Sequence, residues 1–296
     1  AQTCCISGIN LPNEAYLRDN YGSKAVQIVN TTDAINKGYD KSFGSHVLEE
    51  FALPNEVDYA LQYDNEAYKV LVYFHEITGH GGGKMALGKE DINPSDVIGG
   101  YYNTLEEARA DLTALWNMLD PKTAEMGILS KEAAAAGYRD FVRSTLVMLK
   151  DFPNATKIQE AHRAAENMIV RYLMDNTEAV SQEVIDGKTY FVVNDIDGMR
   201  QGVSKLLAEV QRIKSEADAN AAKRLIETYG QYLDTELRDE VVERYNKVKE
   251  RYGIPQYSVM IHSRLYLDKE GKVRVDNTES FMDQQLRYDN FNEVSN

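Results

Sequence analysis

Apolar residues recur at helical spacing through most of this chain, and alternate at strand spacing in only a few short places. From about Glu66 to His80, Val70, Leu71 and Phe74 form one apolar face, which predicts a helix. Residues 81–103 read as loop, because Gly81, Gly82, Gly83, Pro94, Gly99 and Gly100 fall within them. A second helix is expected from Thr104, with Glu107 three residues on as in a capping box, and it should stop near Asp120-Pro121. Further helices are expected over 130–149, 154–174, 197–217, 218–228 and 233–251. Asp186-Gly187 separates two strand-like runs in a hairpin over 182–193. The runs 257–262 and 272–275, flanking Asp268-Lys269-Glu270-Gly271, predict another, followed by a polar tail. Residues 1–21 read as loop, and the runs 25–29 and 57–61 suit strands or short irregular elements. The pattern is therefore mostly α, with small β elements near residues 22–64, 182–193 and 257–276. No repeat or low-complexity linker divides residues 1–296.

Composition narrows the class of partner. A formal net charge of −14 argues against nucleic acid or an anionic membrane. No run is long enough to span a bilayer, and residues 1–30 show no basic-then-apolar leader pattern. Cys4 and Cys5 are the whole cysteine complement, and adjacent cysteines rarely pair, so a reducing, cytoplasmic location is expected. A start at Ala1-Gln2-Thr3-Cys4, without an initiator methionine, suits a processed form or a piece of something longer.

The chemistry concentrates in His75-Glu76-Ile77-Thr78-Gly79-His80. Two histidines and a glutamate resemble the zinc motif H-E-x-x-H, with one residue added. Four helical steps of about 100° overshoot one turn by about 40° and keep both histidines on one face. Five steps overshoot by about 140°, so a regular helix would turn His80 away. A single π-turn near Thr78-Gly79 would restore the alignment. A catalytic zinc takes three protein ligands and leaves one position open. The next helix offers the third within Glu106-Glu107-Ala108-Arg109-Ala110-Asp111. One of the two glutamates can bind metal, and the remaining carboxylates can hold the far nitrogens of the histidines. Glu76 has the position of a general base acting on metal-bound water.

The residues His-Glu-Ile-Thr-Gly-His-Gly-Gly-Gly-Lys at 75–84, followed by Glu-Glu-Ala-Arg-Ala-Asp at 106–111, resemble the paired motifs of the dipeptidyl peptidase III family. Segments 9–13, 22–26, 161–165 and 203–232 look like counterparts in the same order, so the resemblance covers most of the chain. It implies a zinc exopeptidase that removes dipeptides from the N-termini of oligopeptides. It implies one zinc per chain on His75, His80 and Glu107, with Glu76 as general base and Glu106 and Asp111 behind the ligands. His162 matches a family histidine that steadies the transition state, and Arg264 aligns with an arginine near the interlobe cleft, implying a substrate contact. Glu166 departs from the family, since the eukaryotic members carry arginine four residues after that histidine. The family's chains are about twice as long and two-lobed, so residues 1–296 are expected to be a single zinc-bearing lobe, with an N-terminal lobe completing the cleft and weak activity alone.

Two decoys fail. Gly79-His80-Gly81-Gly82-Gly83-Lys84 does not fit a phosphate loop, because Met85 follows the lysine, and no G-x-S-x-G elbow accompanies it as an esterase would need. A non-catalytic zinc-binding or interaction domain is the competing reading, and a purely structural helical domain the weaker one.

Overall fold

A computed structural model describes residues 8–11, 17, 20–22, 24–28, 43–253, 264–276, 278–280, 282–283 and 286. Cys4, Cys5, most of the expected polar tail and the run 257–262 lie outside the described residues.

The architecture is mostly α, as the periodicity implies. Helix α1 (Ser45–Phe51) leads into α2 (Val57–Phe74), which passes without a break into a π-turn, His75–His80. Val57–Leu61, expected to be extended or irregular, is instead the first turn of α2. Ala60, Ala67 and Phe74 are its buried residues, and their seven-residue spacing is a helical stripe that a five-residue window cannot reveal.

A short helix α3 (Pro94–Ile98), capped by Asn93, runs through a 3₁₀ turn (Gly99–Tyr101) into α4 (Tyr102–Met118). The expected capping box at Thr104 is not formed. The helix is already under way two residues earlier, and Thr104 is buried inside it. Glu107 is thereby spared a capping duty and left to face the histidines.

After α5 (Pro121–Glu125) come α6 (Lys131–Val147), started by the Ser130 cap, and α7 (Ala161–Asn176). α7 begins seven residues later than its apolar period suggested, because the Glu160 carboxylate caps it by accepting from the His162 and Arg163 amides. Strands β3 (Val180–Ile185) and β4 (Lys188–Val193) form the expected hairpin, with Asp186 and Gly187 both at positive φ. Then follow α8 (Ile196–Glu216), α9 (Ala219–Leu225), a second π-turn (Ile226–Gly230) and α10 (Thr235–Tyr252).

The other strands are peripheral. β1 (Gly8–Leu11) pairs antiparallel with β2 (Lys24–Gln27), which places a strand inside the segment 1–21 expected to be loop. Four residues including Gly8 and Asn10 carry too little alternation to show it. β5 (Arg264–Leu267) pairs with β6 (Val273–Asp276) around the anticipated turn at Asp268–Gly271.

The core is one cluster where α2, α4, α6, α7 and α8 meet, with Leu112, Leu115, Tyr138, Leu146, Met168 and Leu206 shielded from solvent. Each such side chain stabilises the fold by roughly 1.5–3 kcal/mol. α4 crosses this core, so the residues it presents to the first π-turn are held by packing on its other sides.

Candidate metal centre

Gly79 explains how the π-turn and α4 approach so closely. It is buried, and a Cβ built there would lie 2.8 Å from Ala110 Cα and 2.9 Å from Ala110 Cβ. The turn itself is held by Thr78, whose hydroxyl donates to Phe74 O at 2.7 Å and accepts from Asn117 Nδ2 at 3.2 Å. The extra residue of the wide turn brings the two histidines to one side. His75 Nε2 and His80 Nε2 lie 3.0 Å apart.

α4 supplies the carboxylates around them. Glu107 Oε2 stands 3.2 Å from His75 Nε2 and 3.5 Å from His80 Nε2. Behind each ring sits another carboxylate: Asp111 Oδ1 lies 2.7 Å from His75 Nδ1, and Glu106 Oε1 lies 3.2 Å from His80 Nδ1. A proton on each Nδ1 satisfies these pairs and leaves both Nε2 lone pairs aimed at a common point with Glu107. A tetrahedral ion with zinc-like bonds of about 2.0–2.1 Å needs ligand atoms about 3.3 Å apart. The triangle His75–His80–Glu107 has edges of 3.0, 3.2 and 3.5 Å, and these three residues form a metal-ligand group among the described residues. Glu107 Oε2 is buried and has no hydrogen-bond partner of its own among the described residues. Two imidazoles and one carboxylate are a zinc-type donor set, so the residues present fit that ion.

The electrostatics ask for a cation. Burial opposes charge on His75, yet the Asp111 and Glu107 carboxylates more than offset it and push the imidazole up to about 10. His80 rises for the same kind of reason, against burial, through Glu106 and Glu107. Burial also opposes ionisation of Glu107 and Glu106. The neighbouring histidines hold Glu107 well below the usual carboxylate range, and His80, Arg109 and Lys214 do so for Glu106.

His162, at the start of α7, reaches the rim of this cluster. Its Nε2 lies 3.4 Å from Glu107 Oε2, and its Nδ1 lies 2.9 Å from Glu160 Oε1. Its side chain is 60% exposed, so one face remains open to a bound molecule. Burial lowers its affinity for a proton, but Glu160 and Glu107 raise it by more. Glu76 sits in the π-turn beside His75, half-buried. Glu166 pairs with Arg163 at 2.9 Å, and burial raises its carboxyl to about 7, with the Asp111 charge adding to the effect. The structure thus brings His75, His80, Glu106, Glu107, Asp111 and His162 together. Arg264 is not joined to them. It stands exposed on β5 opposite Asp276, and among the described residues no hydrogen bond or ion pair links it to the cluster.

Two supporting residues escaped the sequence reading. Arg109, 2% exposed, donates to both carboxylate oxygens of Glu106 (2.6 and 3.0 Å) and to Gly79 O (2.6 Å), tying α4 to the π-turn. Its place three residues after Glu106 was a usable signal. Lys214 Nζ, from α8, stands 2.8 Å from Glu106 Oε2 and is equally buried. Only a lysine continuing the buried stripe Val203, Leu206, Val210, Ile213 hinted at it.

Comparison with known proteins agrees with the motifs. The model of Peptidase family M49 matches residues 1–96 and 88–283. Dipeptidyl peptidase 3 of Mus musculus is 25% identical across 80% of this chain and 38% of its own length. Dipeptidyl peptidase III from Caldithrix abyssi superposes with a TM-score of 0.62 at 24% identity, over 81% of this chain and 42% of that one. The enzyme from Corallococcus sp. strain EGB gives a TM-score of 0.64 at 20% identity, over 83% and 44%. These structural likenesses concern the fold. The chain spans about two-fifths of the length of the curated relatives it matches.

Proposed function

Because the chain belongs to peptidase family M49, we propose that it is the metal-bearing part of a zinc-dependent exopeptidase that releases dipeptides from the N-termini of oligopeptides. The observation that carries this reading is the triangle of His75 Nε2, His80 Nε2 and Glu107 Oε2, whose 3.0–3.5 Å edges match a tetrahedral ion. A zinc ion held there supplies Lewis acidity and lowers the pKa of a water from about 15.7 towards 7. Asp111 and Glu106 keep both imidazoles in the Nδ1–H form and in orientation. Glu76 takes the proton of the attacking water as its oxygen bonds to the peptide carbonyl carbon, then delivers it to the leaving amine nitrogen as the C–N bond breaks. His162 donates to the oxygen on which negative charge develops.

The relatives' much greater length leaves room for groups that hold the peptide backbone and its free amino terminus, supplied in this reading by a further lobe. The 296 residues alone then turn over substrate poorly, since positioning accounts for a large share of such catalysis. The test is dipeptide release from a chromogenic dipeptidyl arylamide. Weak release that disappears in Glu76→Gln while zinc is retained supports the mechanism. Equal release by both proteins refutes Glu76 as base. Zinc without any release points to a non-catalytic zinc-binding domain.

A further inference from the structure

The first π-turn holds the metal ligands, and the second, Ile226–Gly230, lies against the helix that carries His162. The two are built alike. Gly79 presses on Ala110 of α4, and Gly230 presses on Ala164 of α7, where a Cβ would lie 2.8 Å from the Ala164 carbonyl oxygen. Neither contact is with a flexible side-chain tip, so neither neighbour can give way cheaply.

The second turn and the residues just after it contact α7 beyond His162 and the segment leading into α7 before it. Upstream, the Ile158 amide donates to Gln231 O at 3.1 Å. Downstream come Gly230 on Ala164 and then Asn167, which is 1% exposed. Asn167 Nδ2 donates to the carbonyls of Tyr229 (2.8 Å), Gly230 (3.1 Å) and Tyr232 (2.8 Å). Carbonyls at a helix end have no partner within the helix and must find one elsewhere. Here the two N–H groups of one buried amide are shared among two of them and the Tyr232 carbonyl just beyond, so helix end and α7 cannot slide past each other. The same turn also reaches towards α4, through Tyr101 Oη donating to Glu227 Oε1 at 2.5 Å, one residue before α4 begins. It therefore bridges the helix of His162 and the helix of Glu107.

We propose that Asn167 and Gly230 are positioning residues for His162: through the second π-turn they fix α7 along its axis so that the imidazole stands at the rim of the metal triad. This rests on the metal-centre reading given above. Neither residue touches the triad, so disturbing them should move His162 and leave metal binding intact.

The test uses the full chain loaded with cobalt(II), in Gly230→Ala and Asn167→Ser. The serine variant is small enough to fold but too short to reach the three carbonyls. Both variants are expected to keep one cobalt per chain and unchanged visible absorption bands, while the metal-induced NMR shift of the His162 ring protons shrinks. Arylamide turnover should show kcat reduced about ten-fold, the scale of a sub-ångström misplacement, with KM unchanged. Combined with His162→Ala, neither substitution should reduce kcat further. A His162 shift unchanged in both variants, or kcat losses that add in full to that of His162→Ala, would overturn the proposal. Absence of cobalt binding in the unmodified chain would instead refute the metal-centre reading and remove the proposal with it.

Discussion

Gly79→Ala perturbs the contact on which the candidate site depends. The added methyl would sit 2.8 Å from Ala110 Cα, 2.9 Å from its Cβ and 3.1 Å from its carbonyl oxygen. Ordinary carbon–carbon contacts are about 3.5–4.0 Å, so the π-turn and α4 must separate by the better part of an ångström. Two effects compete. Alanine in place of glycine favours helical backbone by about 1 kcal/mol. Overpacking a close contact costs about 1–3 kcal/mol, and with backbone on the receiving side the upper part of that range applies. The net loss is about 1–2 kcal/mol, and at about 2–4 °C per kcal/mol the melting temperature should fall by about 2–8 °C. Function should suffer more than stability. The histidines ride on the turn and Glu107 on α4, so separation lengthens the 3.2 and 3.5 Å edges while leaving the 3.0 Å edge alone. Zinc affinity should drop about 10–100-fold, the scale of losing an orienting partner. Chelator competition for zinc, with thermal melts of metal-free and zinc-loaded protein, reads both effects. A variant with the parent melting temperature and zinc affinity would refute the idea that Gly79 sets the ligand geometry.

Asp111→Asn puts an amide where a carboxylate holds the His75 Nδ1 proton, and should weaken zinc about 10–100-fold by the same chelator assay without unfolding the chain. Arg109→Met removes a buried charge that satisfies Glu106 and Gly79 O, and should cost about 3–5 kcal/mol by urea unfolding. Arg109→Lys should restore only part of that, because a single ammonium cannot reproduce the bidentate fork. Glu166 gives a pH signature. Its carboxyl is raised from 4.5 to about 7 in the fold, so the folded state binds its proton more tightly. That stability is fully present below pH 4.5 and is lost as the pH rises through about 7. Urea midpoints measured against pH should decline across that window, by at most about 3 kcal/mol in free energy, and the decline should flatten in Glu166→Gln. An identical slope in the variant would assign the pH dependence elsewhere.

How much was readable in advance follows the range of the interactions. α8 and α10 lie within two residues of their expected ends, since a stripe such as Met199, Val203, Leu206, Val210, Ile213 declares itself locally. The β3–β4 turn was equally plain, because Asp186-Gly187 is a local signal. The widening of the helix at Gly79 followed from counting degrees per residue, and the place of Glu107 from its motif. What failed depended on distant partners. β1 exists only through β2, Thr104 lost its cap to a helix that began earlier, and 57–61 joined α2 through a buried stripe that recurs every seven residues. Lys214 reaches Glu106 from more than a hundred residues away, and no local pattern encodes that meeting. Arg264, expected near the interlobe cleft rather than at the metal, stands on the exposed β5–β6 hairpin.

The most direct measurement is the zinc content of the purified, dialysed chain by elemental analysis, alongside His75→Ala, His80→Ala, Glu107→Ala and Glu76→Gln. One zinc per chain is expected in the parent and in Glu76→Gln, with stoichiometric zinc lost in each of the other three. A parent chain that holds no zinc, or a Glu107→Ala variant that holds it as tightly as the parent, would contradict the metal centre formed by the π-turn and α4.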